Sequence, residues 1–202
     1  MLILSSNGFS SKELIEEVKN YLPKMTSKAA IITTASIGYK EKDRHIPRLT
    51  EELESLDLAV EYFDIDVQDP ILLTNYDLIE INGGNPFYLL KQMKVTNCKR
   101  IFEQLMKDKV IVGISAGSVV LQNSIKLIAG YSPEMNQDVR ITDLSGMGLT
   151  EVEILPHYHR FISRFENFEE RARQYEMDNQ CSVTRIDDGQ ALFITDKKKY
   201  VI

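Results

Sequence analysis

Short, wholly apolar stretches alternate along this chain with longer segments whose apolar residues recur every three to four positions. That alternation predicts an α/β protein built on a largely parallel sheet. Residues 2–4 (Leu-Ile-Leu) read as a first strand, and Ser10 with Glu13 three residues later predicts a capping box. Leu14, Ile15, Val18 and Leu22 follow at helical spacing. Residues 29–33 predict a second strand, apolar on both faces, as expected where helices cover both sides of a sheet. A polar stretch over 36–48 leads into a helix presenting Leu49, Leu53 and Leu56. Strands are predicted at 58–65 and 77–81, helices at 86–94 and 98–107, and the most apolar strand at Val110–Ile114.

The pattern loosens after Ser115. It predicts a short helix, a glycine-punctuated region to Gly148, a strand at 152–155 and a charged helix over 163–177. Two last strands, 182–186 and 191–195, flank Asp187-Asp188-Gly189, whose Asp-Gly pair predicts a hairpin turn. No internal repeat or linker-like tract interrupts the chain, so residues 1–202 are expected to form one domain.

Composition narrows the class. With 202 residues, 43% of them hydrophobic and 27% charged, the chain can bury a core without disulfides or metals. A net charge of -6 argues against a nucleic-acid surface, and Lys197-Lys198-Lys199 reads as a solvated strand edge. Cys98 and Cys181 are too few for a disulfide framework and are expected to be reduced thiols of a cytoplasmic protein. Ser5, Ser6 and Asn7 interrupt the apolar start too early for a signal peptide, and no run approaches the ~20 apolar residues of a membrane span.

The sharpest chemical signal is Gly113-Ile114-Ser115-Ala116-Gly117, directly after a buried strand. This is the strand–turn–helix setting of a nucleophile elbow, where small flanking residues let the serine adopt a strained backbone at the end of the sheet. A capped glycine turn without chemistry would leave the same trace. A serine nucleophile needs a base, and the chain has three histidines. His45 lies in a polar loop and reads as exposed and idle. His157 and His159 follow the 152–155 strand through Pro156; in an extended segment they would share a face and could also ligate a metal. No Cys or further His with suitable spacing supplies a third ligand; a carboxylate could, which keeps a metal as a lesser alternative, and the expectation is a site without one. The carboxylates between the serine and His157 are Glu134, Asp138, Asp143, Glu151 and Glu153. Glu151 and Glu153 are too local to fold back easily, a loop could bring Glu134 or Asp138 to the imidazole, and composition does not choose between those two. A second glycine site, Asn82-Gly83-Gly84-Asn85-Pro86, ends the 77–81 strand and opens a capped helix. Its exposed N–H groups could join that of the residue after the serine to hold an oxyanion.

The blocks GGNPFYLLKQM, VGISAGS and LPHYH, in this order and spacing, resemble peptidase family S51, which includes aspartyl dipeptidases and the related cyanophycinases. The resemblance runs from the first strand to the last. It implies a flavodoxin-like, class I glutamine-amidotransferase-like α/β fold with helices on both faces of a mostly parallel sheet. It further implies Ser115 as nucleophile, His157 as base and the N–H groups of Gly84 and Ala116 as oxyanion donors. The third member it implies is a carboxylate between elbow and histidine; Glu134 is the best positional fit, with Asp138 in reserve. Where the family has Gly-Gly-Asn-Thr-Phe, this chain has Pro86 in place of the threonine, which leaves the Gly84 donor intact.

Arg160, Arg164 and Arg171 are candidates to bind a substrate carboxylate, Arg160 first among them, although arginines on a charged helix are as often plain surface. The expectation is a serine exopeptidase cleaving small peptides, with N-terminal Asp as one option, using no cofactor and neither nucleic acid nor membrane as partner. The sequence leaves a homodimer open. Two alternatives remain: another acyl hydrolase (an esterase or amidase), and a binding protein that keeps the elbow as architecture.

Overall fold

The computed structural model describes residues 1–23 and 27–202. Seven strands form one sheet: β1 (Leu2–Ser5), β2 (Ser27–Ile32), β3 (Leu58–Phe63), β4 (Leu78–Ile81), β5 (Val110–Ile114), β8 (Ala191–Ile194) and β9 (Lys199–Val201). Their order is β3-β2-β4-β5-β1-β8-β9. The first five run parallel, and β8 and β9 add an antiparallel edge. Two short strands, β6 (Glu153–Leu155) and β7 (Val183–Arg185), pair parallel in a second small sheet.

Alternating side chains of the large sheet divide the core. Leu2, Leu4, Ile79, Ile81 and Ile111 pack on one face with α3 (Pro86–Val95), α4 (Cys98–Leu105) and α5 (Ala116–Leu121). Ile3, Ile31, Leu78 and Val112 pack on the other, against α1 (Lys12–Lys19) and α2 (Ile46–Glu54). Covering both faces is why β5 and β1 read as unbroken apolar runs. A smaller core of Leu127, Tyr131, Leu155, Phe168 and Ala172 joins β6 to α6 (Lys126–Tyr131) and α8 (Phe168–Asn179), with α7 (Tyr158–Ile162) between them.

Three sequence expectations shift. The cap of α1 is Ser11, whose side chain accepts the Leu14 N–H, and not the Ser10 of the predicted capping box. The strands flanking Asp187-Asp188-Gly189 do not form a hairpin: β7 pairs with β6, while β8 pairs with β1. The turn itself is there, closed by the Gln190 N–H on the Asp187 carbonyl, but it joins two sheets. The hairpin lies one strand later, between β8 and β9, and the lysine run enters edge strand β9. The charged helix predicted over 163–177 begins only at Phe168, as α8, and a separate short helix, α7, precedes residue 163.

Candidate active site

Adjacent strands β4, β5 and β1 end side by side, and each delivers part of one cleft. At the end of β5, Ser115 has φ 49 and ψ -109, a conformation that costs a non-glycine residue about 1–3 kcal/mol. Its N–H donates to the Ser5 carbonyl of β1 at 3.0 Å, and its carbonyl accepts from Val119 in α5. The turn needs small neighbours: a Cβ on Gly117 would stand 2.1 Å from the Ile81 carbonyl oxygen, and one on Gly113 2.6 Å from the Ser118 backbone.

At the end of β4, Gly84 has φ +141 and lies so close to Ala35 that a Cβ would stand 2.3 Å from its carbonyl oxygen. Asn85 caps α3 by accepting the N–H groups of Phe87 and Tyr88, and its amide donates to the Met135 carbonyl at 2.8 Å. The N–H groups of Gly84 and Ala116 donate to no partner among the described residues, and both residues line the cleft beside Ser115. Ala116 opens α5, so its N–H is one that the helix itself leaves free.

His157 follows β6 through Pro156 in the left-handed conformation (φ 58). Its Nε2 lies 2.9 Å from Ser115 Oγ. Its Nδ1 is hydrogen-bonded to Asp188. Burial pushes the His157 imidazole below its usual value of 6.5, and the neighbouring Asp188 charge opposes that only in part. Burial acts on Asp188 in the raising direction, but hydrogen bonds from Ser6 and His157 and the imidazole's charge hold its carboxyl below the usual range. A neutral imidazole between a serine hydroxyl and a carboxylate is what transfer of the serine proton requires.

The carboxylate at His157 therefore differs from the expected one. Glu134 sits in a 3-10 turn (Pro133–Asn136) on the far wall of the cleft, exposed, with no hydrogen bond to the imidazole. Asp138 is exposed and outside the cleft lining. The reason lies in strand pairing. Leu155 pairs with Arg185 across β6 and β7, which puts Pro156-His157 alongside the chain running to Asp188. Ser5 pairs with Ala191 across β1 and β8, which sets that same turn beside Ser6. Sequence reasoning missed Asp188 because the Asp-Gly pair was absorbed by a hairpin, and a strand end leading into two carboxylates was the signal available.

His159 takes a different aspartate, Asp187, and its side chain is 77% exposed. The extended segment that would have put both histidines on one face is instead the start of α7. Among the described residues no group of three or more His, Cys, Asp or Glu is arranged to hold a metal.

The cleft has two lobes that meet at Ser115 and His157. The larger, about 400 Å³, is mostly apolar and includes Val119, Ile128, Tyr131, Met135, Phe161 and Phe165. The smaller, about 300 Å³, is polar and lined by Asn7, Arg44, His45, Arg48, Asn82 and Arg160. His45, expected to be idle, is part of this wall. Arg160 borders both lobes, with its guanidinium 3.7 Å from Asp188. Arg164 lines only the apolar lobe, and Arg171 is turned away onto the Tyr131 ring.

The model of peptidase family S51 matches residues 1–202. The chain belongs to that family. It is a serine-type peptidase with the flavodoxin-like α/β fold. An uncharacterized peptidase of Listeria monocytogenes is 28% identical over 98% of this chain and 95% of its own length. A peptidase E of Shewanella baltica is 25% identical, covering 95% of this chain and 82% of that protein. A crystal structure of a protein provisionally assigned as a peptidase E from Listeria monocytogenes superposes with a TM-score of 0.74 at 26% identity, covering 100% of this chain and 96% of that one. Within an S51 peptidase, the two-lobed cleft at the elbow is where substrate chemistry has to be sought.

Proposed function

We propose that this chain is a serine exopeptidase of small peptides in which Ser115 is the nucleophile, His157 the general base and Asp188 the carboxylate that orients the imidazole. The observation that carries this reading is the 2.9 Å contact from His157 Nε2 to Ser115 Oγ with Asp188 on the opposite ring nitrogen. Ser115 attacks the scissile carbonyl while His157 takes its proton. The free N–H groups of Gly84 and Ala116 receive the oxyanion. His157 then returns the proton to the leaving amine, and water repeats the sequence on the acyl-enzyme. Asp188 holds Nδ1–H, so that Nε2 faces the serine as an acceptor, and it stabilises the imidazolium formed during proton transfer.

The two lobes support a substrate class. Three arginines, Arg44, Arg48 and Arg160, against one carboxylate, Asp43, give the polar lobe an excess of positive charge in a protein whose net charge is -6. Arg48 is paired with Glu52 and Arg160 approaches Asp188, which leaves Arg44 without a carboxylate partner among the described residues. Such a lobe favours a carboxylate beside the scissile bond, and the apolar lobe favours a large apolar side chain on its other side. This supports small acidic peptides over simple esters. The chain order Ser, His, Asp also differs from the Ser, acid, His order of α/β-hydrolases, which weakens the esterase alternative.

The test is a panel of Asp-X dipeptides and simple esters offered to the wild-type protein and Ser115→Ala, with mass-spectrometric mapping of a serine-directed phosphonate. The expected result is release of X from the dipeptides, labelling at Ser115, and loss of both in the variant. Full peptidase activity in pure Ser115→Ala would overturn the mechanism. A wild type that is folded but unlabelled would favour a binding protein.

A further inference from the structure

We propose that Ser6, the residue that follows β1, is a positioning residue for the reaction centre, its hydroxyl fixing the imidazole of His157 and the carboxylate of Asp188 with respect to Ser115. This rests on the reading of Ser115, His157 and Asp188 given above.

Ser6 is fully buried. Its hydroxyl donates to Asp188 Oδ1 at 2.8 Å, accepts the backbone N–H of His157 at 2.9 Å, and lies 3.2 Å from His157 Nδ1. A hydroxyl has one proton to give and two lone pairs. Here the proton goes to the acid, and a lone pair takes the N–H of the base, which stands in a left-handed conformation that needs an anchor. The preceding residue does the same for the nucleophile: the Ser5 carbonyl accepts the Ser115 N–H at 3.0 Å and the Ser118 hydroxyl at 2.8 Å. Two consecutive residues at the end of one central strand thus anchor all three reacting side chains, which come from β5 and from the ends of β6 and β7.

Truncating the hydroxyl has two consequences. The buried His157 N–H loses its acceptor, and the Asp188 carboxylate loses a hydrogen-bond donor while keeping its bond to His157 Nδ1. A carboxylate relieved of the Ser6 proton is also a stronger partner for imidazolium, so the base holds its proton to higher pH.

The experiment compares wild type, Ser6→Ala and Ser6→Thr by the rate of phosphonate labelling at Ser115 across pH, with melting temperatures measured alongside. Wild type is expected to lose reactivity only below pH 6.5, the usual imidazole value, in keeping with the lowered His157. Ser6→Ala should label on the order of 10- to 100-fold more slowly near neutral pH, short of the ~10⁴-fold cost of losing the orienting acid itself, with its acid limb displaced upward. Ser6→Thr, which keeps the hydroxyl, should recover most of the rate and the wild-type limb. Wild-type rate and limb in Ser6→Ala would overturn the inference. So would a slowed Ser6→Ala with an unmoved limb and an equally slow Ser6→Thr, since that pattern reports packing alone. If Ser6→Ala does not fold, Ser6→Cys, with a similar shape but a weaker donor and acceptor, replaces it in the comparison. An unlabelled wild type would overturn the underlying reading as well, whereas a labelled wild type with an indifferent Ser6→Ala overturns this inference alone.

Discussion

Asp188 and Glu134 carry the same charge and both lie near the cleft, yet only Asp188 meets the imidazole of His157. The difference is testable by paired amidation, which removes charge and keeps shape. Asp188→Asn should lower kcat by about 10⁴-fold, because an amide can present its N–H to Nδ1 and favour the wrong tautomer. Glu134→Gln should leave kcat within a few-fold and act, if at all, on KM, since its carboxylate stands on the cleft wall. Steady-state kinetics on an Asp-X dipeptide separates the two. A Glu134→Gln loss as large as that of Asp188→Asn would mean that the 3-10 turn over Pro133–Asn136 closes onto His157 during turnover. At this scale Ser115, His157, Gly84 and Ala116 were legible, because each is defined by its immediate neighbours in sequence. Asp188 and Ser6 were not, because each is defined by a partner more than thirty residues away or, for Ser6, more than 150.

At the scale of elements, the elbow depends on how tightly α5 is set against the end of β4. Gly117 touches the Ile81 carbonyl with no room for a methyl group. Gly117→Ala must push β4 and α5 apart or unwind the first turn of α5, moving the Ala116 N–H away from the oxyanion position. The expected outcome is a loss of activity of at least 10²-fold, the order seen when one oxyanion donor is lost, with a Tm lower by several degrees. Kinetics and thermal melts on the same preparation check both parts. A Gly130→Ala control should change little, since its nearest neighbour is the far end of the Arg171 side chain at 4.0 Å. The element boundaries followed from apolar periodicity for β1 to β5 and for α3 and α4. The hairpin failed because turn chemistry specifies a reversal of the chain and not which strand the next segment will pair with.

At the scale of the whole molecule, the sheet buries a carboxyl group that the site does not use. Glu80 on β4 has no exposed surface, and neither of its oxygens has a hydrogen-bond partner among the described residues. Burial, aided by the nearby Glu52 charge and opposed by Arg48, pushes its pKa well above the ordinary carboxylate value of 4.5. The unfolded chain therefore releases this proton at lower pH than the folded one, and stability from this residue falls as pH rises above 4.5. Glu80→Met removes the polar atoms at similar volume. It should raise Tm by a few degrees, about 2–4 °C for each kcal/mol in a protein of this size, and by more at pH 8 than at pH 5. Thermal melts at the two pH values give the comparison, and a gain independent of pH would show that Glu80 finds a partner when ionised.

The sequence by itself determined the layered α/β architecture, the elbow at Ser115, the second glycine turn and the histidine behind Pro156. These follow from local steric and periodic constraints, which a chain carries wherever it folds. Tertiary structure alone decided which carboxylate meets the histidine, because that depends on two strand pairings, β6 with β7 and β1 with β8, whose register no short segment encodes. It also decided the place of charge. A chain of net charge -6 still gathers Arg44, Arg48 and Arg160 around one lobe, because α7 and α2 with the residues just before it bring together positions more than a hundred apart.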